Sequence, residues 1–226
     1  MIYSPDHKFL LLKNRKVGGS SLELVLSKLL PENAIVTKLT SPTNTTDIVP
    51  SWHKERNYGE NNKFYHHIKY EEIKNYIDLS EVKSYVFVRN PYDSVLSAFF
   101  HRLSTSKILL NPSQWNGLLN EKKEELVKKY FDNKIGDLPW YKGDKYIYLN
   151  NDNQLLVDKV LYYEKGIENE INPILKTHEI PEIQMDVNFL NHKPKEINYT
   201  EVFKNQHLDL IRNEWWWEFE NLGYKA

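Results

Sequence analysis

The sequence predicts an α/β fold in three layers, a central and mostly parallel sheet flanked by helices. Three observations predict it. Apolar runs at 9–12 and 84–88 read as strands, the first buried in a parallel sheet, and 157–163 reads as another strand. The first two run through a short polar turn into apolar residues at helical spacing. Strands then alternate with helices along the chain, as a sheet covered on both sides requires.

The first strand is Phe9-Leu-Leu-Leu12, followed by the turn Lys13-Asn-Arg-Lys-Val-Gly-Gly-Ser-Ser21. Leu22, Val25, Leu26, Leu29 and Leu30 repeat at helical spacing, and Pro31 closes the segment. The turn carries three cations, two glycines and two hydroxyls. Backbone N–H groups at a helix N-terminus, uncrowded at Gly18 and Gly19, make an anion site for phosphate or sulfate. It is not a Walker A motif, because Asn14 stands at the first glycine position and Ser20 where lysine is needed. The plainer reading is a strand–helix turn with a solvated basic rim.

Residues 38–62 are polar and rich in turn formers, a long loop of the kind that is usually functional or disordered. Lys63–Ile68 reads as a second strand ending in His66 and His67, and Tyr70–Ile77 as a short helix. Ser84–Val88 is a strand that ends in Arg89, and Pro91 suits the first turn of a helix over 91–104. Arg89 thus sits at a strand's carboxyl end, where open α/β sheets place ligands. Ser97 lies on the second turn of that helix. An arginine fork and a serine hydroxyl together suit a phosphate.

Residues 107–116 read as irregular and 118–131 as an amphipathic helix, with Lys122, Lys123, Glu124 and Glu125 on its solvated face. Residues 132–153 read as loop with an extended piece at 146–149. Val157–Tyr163 is a strand, 166–177 a helix despite Pro173, and 200–221 a closing helix. The triplet Trp215-Trp216-Trp217 cannot share one helix face, so at least one ring meets solvent or a partner, and a homodimer contact is one reading. Trp52, Trp115 and Trp140 fall in loops, where they either stack on a sugar or pack onto the body of the domain.

Lys16-Val-Gly-Gly-Ser-Ser-Leu-Glu23 resembles the 5′-phosphosulfate loop of sulfotransferases that use 3′-phosphoadenosine 5′-phosphosulfate (PAPS). Arg89-Asn-Pro-Tyr-Asp-Ser-Val-Leu-Ser97 resembles their 3′-phosphate element. Val160–Glu164 and Trp217–Tyr224 resemble, more weakly, the strand before the family's second half and its closing segment. The branch is that of carbohydrate, Golgi-type sulfotransferases and their bacterial relatives. The resemblance implies a P-loop NTPase-like fold, PAPS as donor and a hydroxyl acceptor, with a carbohydrate expected.

It also implies roles. Lys16 stabilises charge on the leaving oxygen, Gly18, Gly19, Ser20 and Ser21 cradle the 5′-phosphate, and Arg89 and Ser97 hold the 3′-phosphate. Lys193, in His192-Lys-Pro-Lys195, adds a basic contact to that phosphate. His67 aligns best with the family's base position, and His66, His53 and Glu72 compete with it. An unperturbed imidazole titrates near about 6.5, which suits a general base.

The chain has 226 residues, enough for one domain over 1–226 with a sizeable core. Net charge is −1, from 30 basic and 31 acidic residues, which leaves a nucleic-acid coat or membrane-surface role without an electrostatic basis. No cysteine occurs, so disulfides, thiolate chemistry and cysteine metal sites are excluded. The polar start, Met1-Ile-Tyr-Ser, resembles neither a signal peptide nor an anchor, and a soluble, cytoplasmic protein is expected. Adjacent histidines on a strand cannot readily share an ion, so no metal is expected. Nor is there a G-x-S-x-G elbow for a hydrolase. Two other readings stand beside sulfuryl transfer: a kinase with a degenerate phosphate loop, and a non-catalytic nucleotide-binding protein.

Overall fold

The computed structural model describes residues 1–38, 55–60, 63–106, 108, 114–135, 140–185 and 197–225. The chain divides into two compact units, Met1–Arg89 with Asp144–Leu190, and Asn90–Gly143 with Asn191–Ala226.

The first unit is a mixed α/β layer structure. Its strands are β1 (Ile2–Ser4), β2 (Phe9–Leu12), β3 (Ile35–Val36), β4 (Lys83–Val88) and β5 (Lys159–Tyr162), in the order β3-β1-β2-β4-β5. β2 pairs parallel with β4, and β4 with β5, while β1 runs antiparallel to both β2 and β3. Four of the five strands therefore point the same way, and the sheet is mostly parallel. The expected strands at 9–12, 84–88 and 157–163 are its centre and one edge. β1 and β3 went unforeseen because strands of two or three residues are too short for any periodicity to register.

On one face, Ile2, Phe9, Leu11, Tyr85, Phe87 and Leu161 form a core with Leu22 and Leu26 of α1 (Gly19–Leu29) and Ile171, Ile174 and Leu175 of α5 (Ile167–Thr177). The alternate residues Leu10, Leu12, Val86 and Val88 are just as buried, which explains runs with no polar alternation. Each such side chain contributes roughly 1.5–3 kcal/mol by leaving water. The C-terminal carbonyls of α1 are satisfied by Arg56, whose guanidinium donates to the carbonyls of Ser27, Leu30 and Pro31 at 2.9–3.1 Å.

The expected strand at Lys63–Ile68 does not form. These residues turn locally, with Phe64 N–H donating to the Tyr58 carbonyl and Ile68 N–H to that of Tyr65. Phe64 meets the Tyr76 ring at 5.7 Å and the Lys63 ammonium lies 4.1 Å from that ring's centroid, so the aromatic residues pack locally rather than alternating across a sheet. The helix that follows, α2, spans only Tyr70–Ile73.

The second unit is helical: α3 (Pro91–Thr105), α4 (Asn120–Phe131), α6 (Tyr199–Val202), α7 (Asn205–Glu214) and α8 (Trp216–Asn221). Pro91 opens α3 as expected, and the Asn90 side chain caps it by accepting from Tyr92 N–H at 3.0 Å. The core is aromatic. Phe99 meets Trp115, Tyr130 and Phe203 edge-on at 5.3–5.9 Å. Trp115, a loop aromatic, is therefore a packing residue. Trp52 and the Trp140 side chain lie outside the described residues.

The single closing helix expected at 200–221 is broken in two places. Phe203 is extended between α6 and α7, and Trp215 ends α7 with its backbone at φ −106°, ψ 23°. Both rings are buried, and leaving the helix is what points them inward. Trp215 donates through Nε1 to the Tyr141 carbonyl at 2.7 Å, and its ring would stand 3.0 Å from a Cβ at Gly143. Trp217 is buried too, whereas Trp216 is 38% exposed, so the triplet splits as its helical spacing requires. Among the described residues, no helix is long and apolar enough to cross a membrane.

Trp215→Ala is expected to destabilise the protein by about 3–5 kcal/mol, and Trp216→Ala by less than about 1 kcal/mol. Urea unfolding of both variants measures the difference.

Candidate functional site

Between β2 and α1 the chain turns back through two left-handed residues, Lys16 at φ 60° and Gly18 at φ 73°. Gly18 is favoured first by its backbone and then by its neighbour. The backbone angle disfavours a side chain, and a Cβ there would stand 2.6 Å from Ile167 Cδ1. It is the N-cap of α1, and no side chain caps that terminus. The first-turn N–H groups, at the positive end of the helix dipole and beside left-handed residues, form a concavity suited to an anion. Gly19 and Ser20 are half-buried on its rim, and Ser21 is buried.

Two of the three cations in the loop serve the fold. The Lys13 ammonium pairs with Glu23 on α1, both groups being buried. The Met1 ammonium donates to the same carboxylate at 2.5 Å and to Thr37 Oγ1 at 2.7 Å. Burial alone would raise the Glu23 pKa, but the attraction of Lys13 and the Met1 ammonium outweighs it and holds the carboxyl below its ordinary range. Burial pushes the Met1 amine down to about 6. Arg15 bonds Asp144 at 2.7 Å. Asp144 is itself buried, and burial raises its pKa against the pull of Arg15. The Tyr146 hydroxyl donates to the same carboxylate at 3.1 Å, and burial, reinforced by that charge, pushes its pKa up to about 12.

Arg89 follows β4 and is 5% exposed. Its Nη1 donates to the Lys16 carbonyl at 2.9 Å, and its guanidinium lies 4.6 Å from the centroid of Tyr163, the residue after β5. The ends of two neighbouring strands thus converge on the loop that leaves a third. A guanidinium carries five N–H donors, and the loop carbonyl engages one of them. Ser97 lies half-buried on α3 in the second unit.

His66 and His67 do not alternate across a strand, because no strand forms there. Their rings meet edge-on at 4.3 Å. His67 Nδ1 lies 2.8 Å from the Lys13 carbonyl, which only an N–H can satisfy, so Nε2 carries the lone pair. Burial, His66 and the cations Lys13 and Arg15 push His67 down to about 2. Burial, Lys13 and the Met1 ammonium push His66 down to about 4. Both rings are neutral at neutral pH. Glu72 is engaged elsewhere, accepting from the Tyr65 hydroxyl at 2.6 Å. His53 and Lys193 lie outside the described residues. Among the described residues, no three His, Asp or Glu side chains gather to hold a metal.

The structure therefore brings Lys16, Gly18, Gly19, Ser20, Ser21, Arg89 and His67 to one loop or its direct contacts. Glu23, Asp144, Tyr163 and Ile167 support that loop, and sequence reasoning assigned them no role there. Their partners lie far off in sequence or, for Glu23, inside a helix whose charge reads as ordinary surface.

Residues 1–158 match the model of the Sulfotransferase family. No curated protein and no solved structure gives a match.

The depressed imidazoles have a thermodynamic consequence. With folded pKa values of about 4 and about 2 against about 6.5 unfolded, both rings bind fewer protons when folded. Stability therefore rises with pH through this window and is lost as pH falls below about 6.5. In urea unfolding between pH 7.5 and 5, His67→Asn is expected to show a shallower loss than the parent. An equal slope would show that His67 is not held neutral.

Proposed function

The chain belongs to the sulfotransferase family, whose chemistry is sulfuryl transfer, and we propose that it moves that group from PAPS to the hydroxyl of a carbohydrate, as the carbohydrate branch of the family does. The observation that carries this reading is the loop itself: an uncapped helix N-terminus entered through left-handed Lys16 and Gly18, with Arg89 bonded to its backbone. A strand–loop–helix of this form also supports reading the sheet as P-loop-like, although the Walker sequence is absent.

The residues present suit such a donor. When bound, PAPS supplies an activated sulfuryl group and a bisphosphate leaving group. The N–H groups of the first turn of α1, with Ser20 and Ser21, hold the 5′-phosphate. Arg89 offers its fork to the 3′-phosphate, the feature that separates PAPS from ATP. Ser97 is assigned to the same phosphate on the spacing of its motif, and Lys193 on its place in the late basic loop. Lys16, in the left-handed turn of the loop, is assigned to offset charge on the leaving oxygen.

His67 is the proposed base. The bond from its Nδ1 to the Lys13 carbonyl keeps a lone pair on Nε2 for the acceptor proton. A pKa of about 2 is too low for that task unaided. Burial is the first cause of that depression, and an anionic donor at the loop acts against it by favouring the imidazolium.

Lys16→Ala is expected to lower PAPS turnover at least about 100-fold, the scale on which one preorganised electrostatic donor acts, while circular dichroism stays unchanged. Release of adenosine 3′,5′-bisphosphate in the presence of a carbohydrate mixture measures it. Turnover equal to the parent would remove Lys16 from the mechanism.

A further inference from the structure

The first unit carries a second concave surface. A cleft of about 390 Å³ opens between the start of α2 and residues 145–153, within the size range of small-molecule sites. Lys69, Glu71 and Glu72 line one wall, and Lys145 and Tyr146 the other. Tyr146 is 40% exposed, and the Lys69 ammonium stands 5.5 Å from its ring centroid.

Both walls are tied to the anion loop. The Tyr146 hydroxyl bonds Asp144, which bonds Arg15 next to Lys16. Lys69 follows two residues after His67, whose ring bonds the Lys13 carbonyl. The Tyr146 wall is thus hydrogen-bonded through Asp144 to the loop that carries the proposed donor site, and the Lys69 wall is joined to the proposed base along the chain.

Its chemistry is specific. Two lysines and two glutamates cancel, and Lys69 pairs with Glu72 at 4.0 Å and Glu71 with Lys74 at 2.9 Å. An acidic sugar would meet the two carboxylates with no net positive field to favour it. A neutral sugar meets side chains that both donate to and accept from hydroxyls, amides on Asn151 and Asn153 among them. The exposed Tyr146 ring offers a flat apolar face for the C–H side of a pyranose.

We propose that this cleft is the acceptor subsite, and that it takes an uncharged, hydroxyl-rich sugar stacked on Tyr146. The assignment rests on the sulfuryl-transfer reading for its role, but its sugar chemistry can be tested separately.

Saturation-transfer difference NMR tests it, on the intact chain with and without adenosine 3′,5′-bisphosphate. The probes are maltose, cellobiose and N-acetyllactosamine, beside an unsulfated chondroitin disaccharide as the acidic comparison. Signal from a neutral disaccharide is expected, with little from the acidic one. Tyr146→Ala should weaken that binding about tenfold, the scale of one aromatic contact. Tyr146→Phe also loses the bond to Asp144 yet keeps the ring, and should bind like the parent. Overturning results are equal binding by Tyr146→Ala, equal loss in both variants, preference for the acidic disaccharide, or no signal from any neutral probe. Sugar binding without bisphosphate binding would keep the cleft and strike the donor reading instead.

Discussion

A buried carboxylate holds the site together. Glu23, inside α1, takes the Lys13 ammonium from the end of β2 and a hydrogen bond from the Met1 amino group at the start of β1. It thereby ties both ends of the phosphate-type loop to the sheet. Such a group is costly to bury, and its partners are what make it tolerable; removing one partner of a buried pair typically costs about 3–5 kcal/mol. The contact is therefore less a source of net stability than a condition on geometry. Lys13 faces inward because Glu23 is there, and the backbone between Lys13 and Gly19 must bridge a fixed gap.

That condition changes what the basic residues mean. A loop with Lys13, Arg15 and Lys16 reads as a cluster of charge offered to an anion. Two of those cations are instead tied to buried acids, Glu23 and Asp144. In the proposed donor site, anion binding then falls chiefly to backbone N–H groups that the left-handed turn at Lys16 and Gly18 brings to the N-terminus of α1. Arg89 has a double part. It fixes the Lys16 carbonyl, stacks on Tyr163, and is the proposed contact for the 3′-phosphate.

Local patterns were legible and distant ones were not. β2 is an unbroken apolar run, β4 and β5 are apolar after their opening polar residues, and α1, α3 and α5 repeat at helical spacing, so periodicity suffices for them. Lys63–Ile68 misled because aromatic and histidine residues with strand propensity pack against Tyr76 and one another instead of entering the sheet. The closing helix misled because Phe203 and Trp215 are helix-compatible locally, yet burying both rings breaks the helix. The loop residues stood out because glycine, serine and lysine at that spacing carry a local signal. Asp144 stood 129 positions from Arg15, and no local rule connects them. The low pKa of His67 likewise depends on its enclosure beside Lys13 and Arg15, which adjacency to His66 does not reveal.

On the proposed reading, this loop and Arg89 recognise a nucleotide bearing a 3′-phosphate. Titration calorimetry with adenosine 3′,5′-bisphosphate, beside ATP with Mg²⁺, measures this. Binding of the bisphosphate and little heat from ATP are expected. Binding of ATP with none of the bisphosphate, or of neither, would contradict that reading.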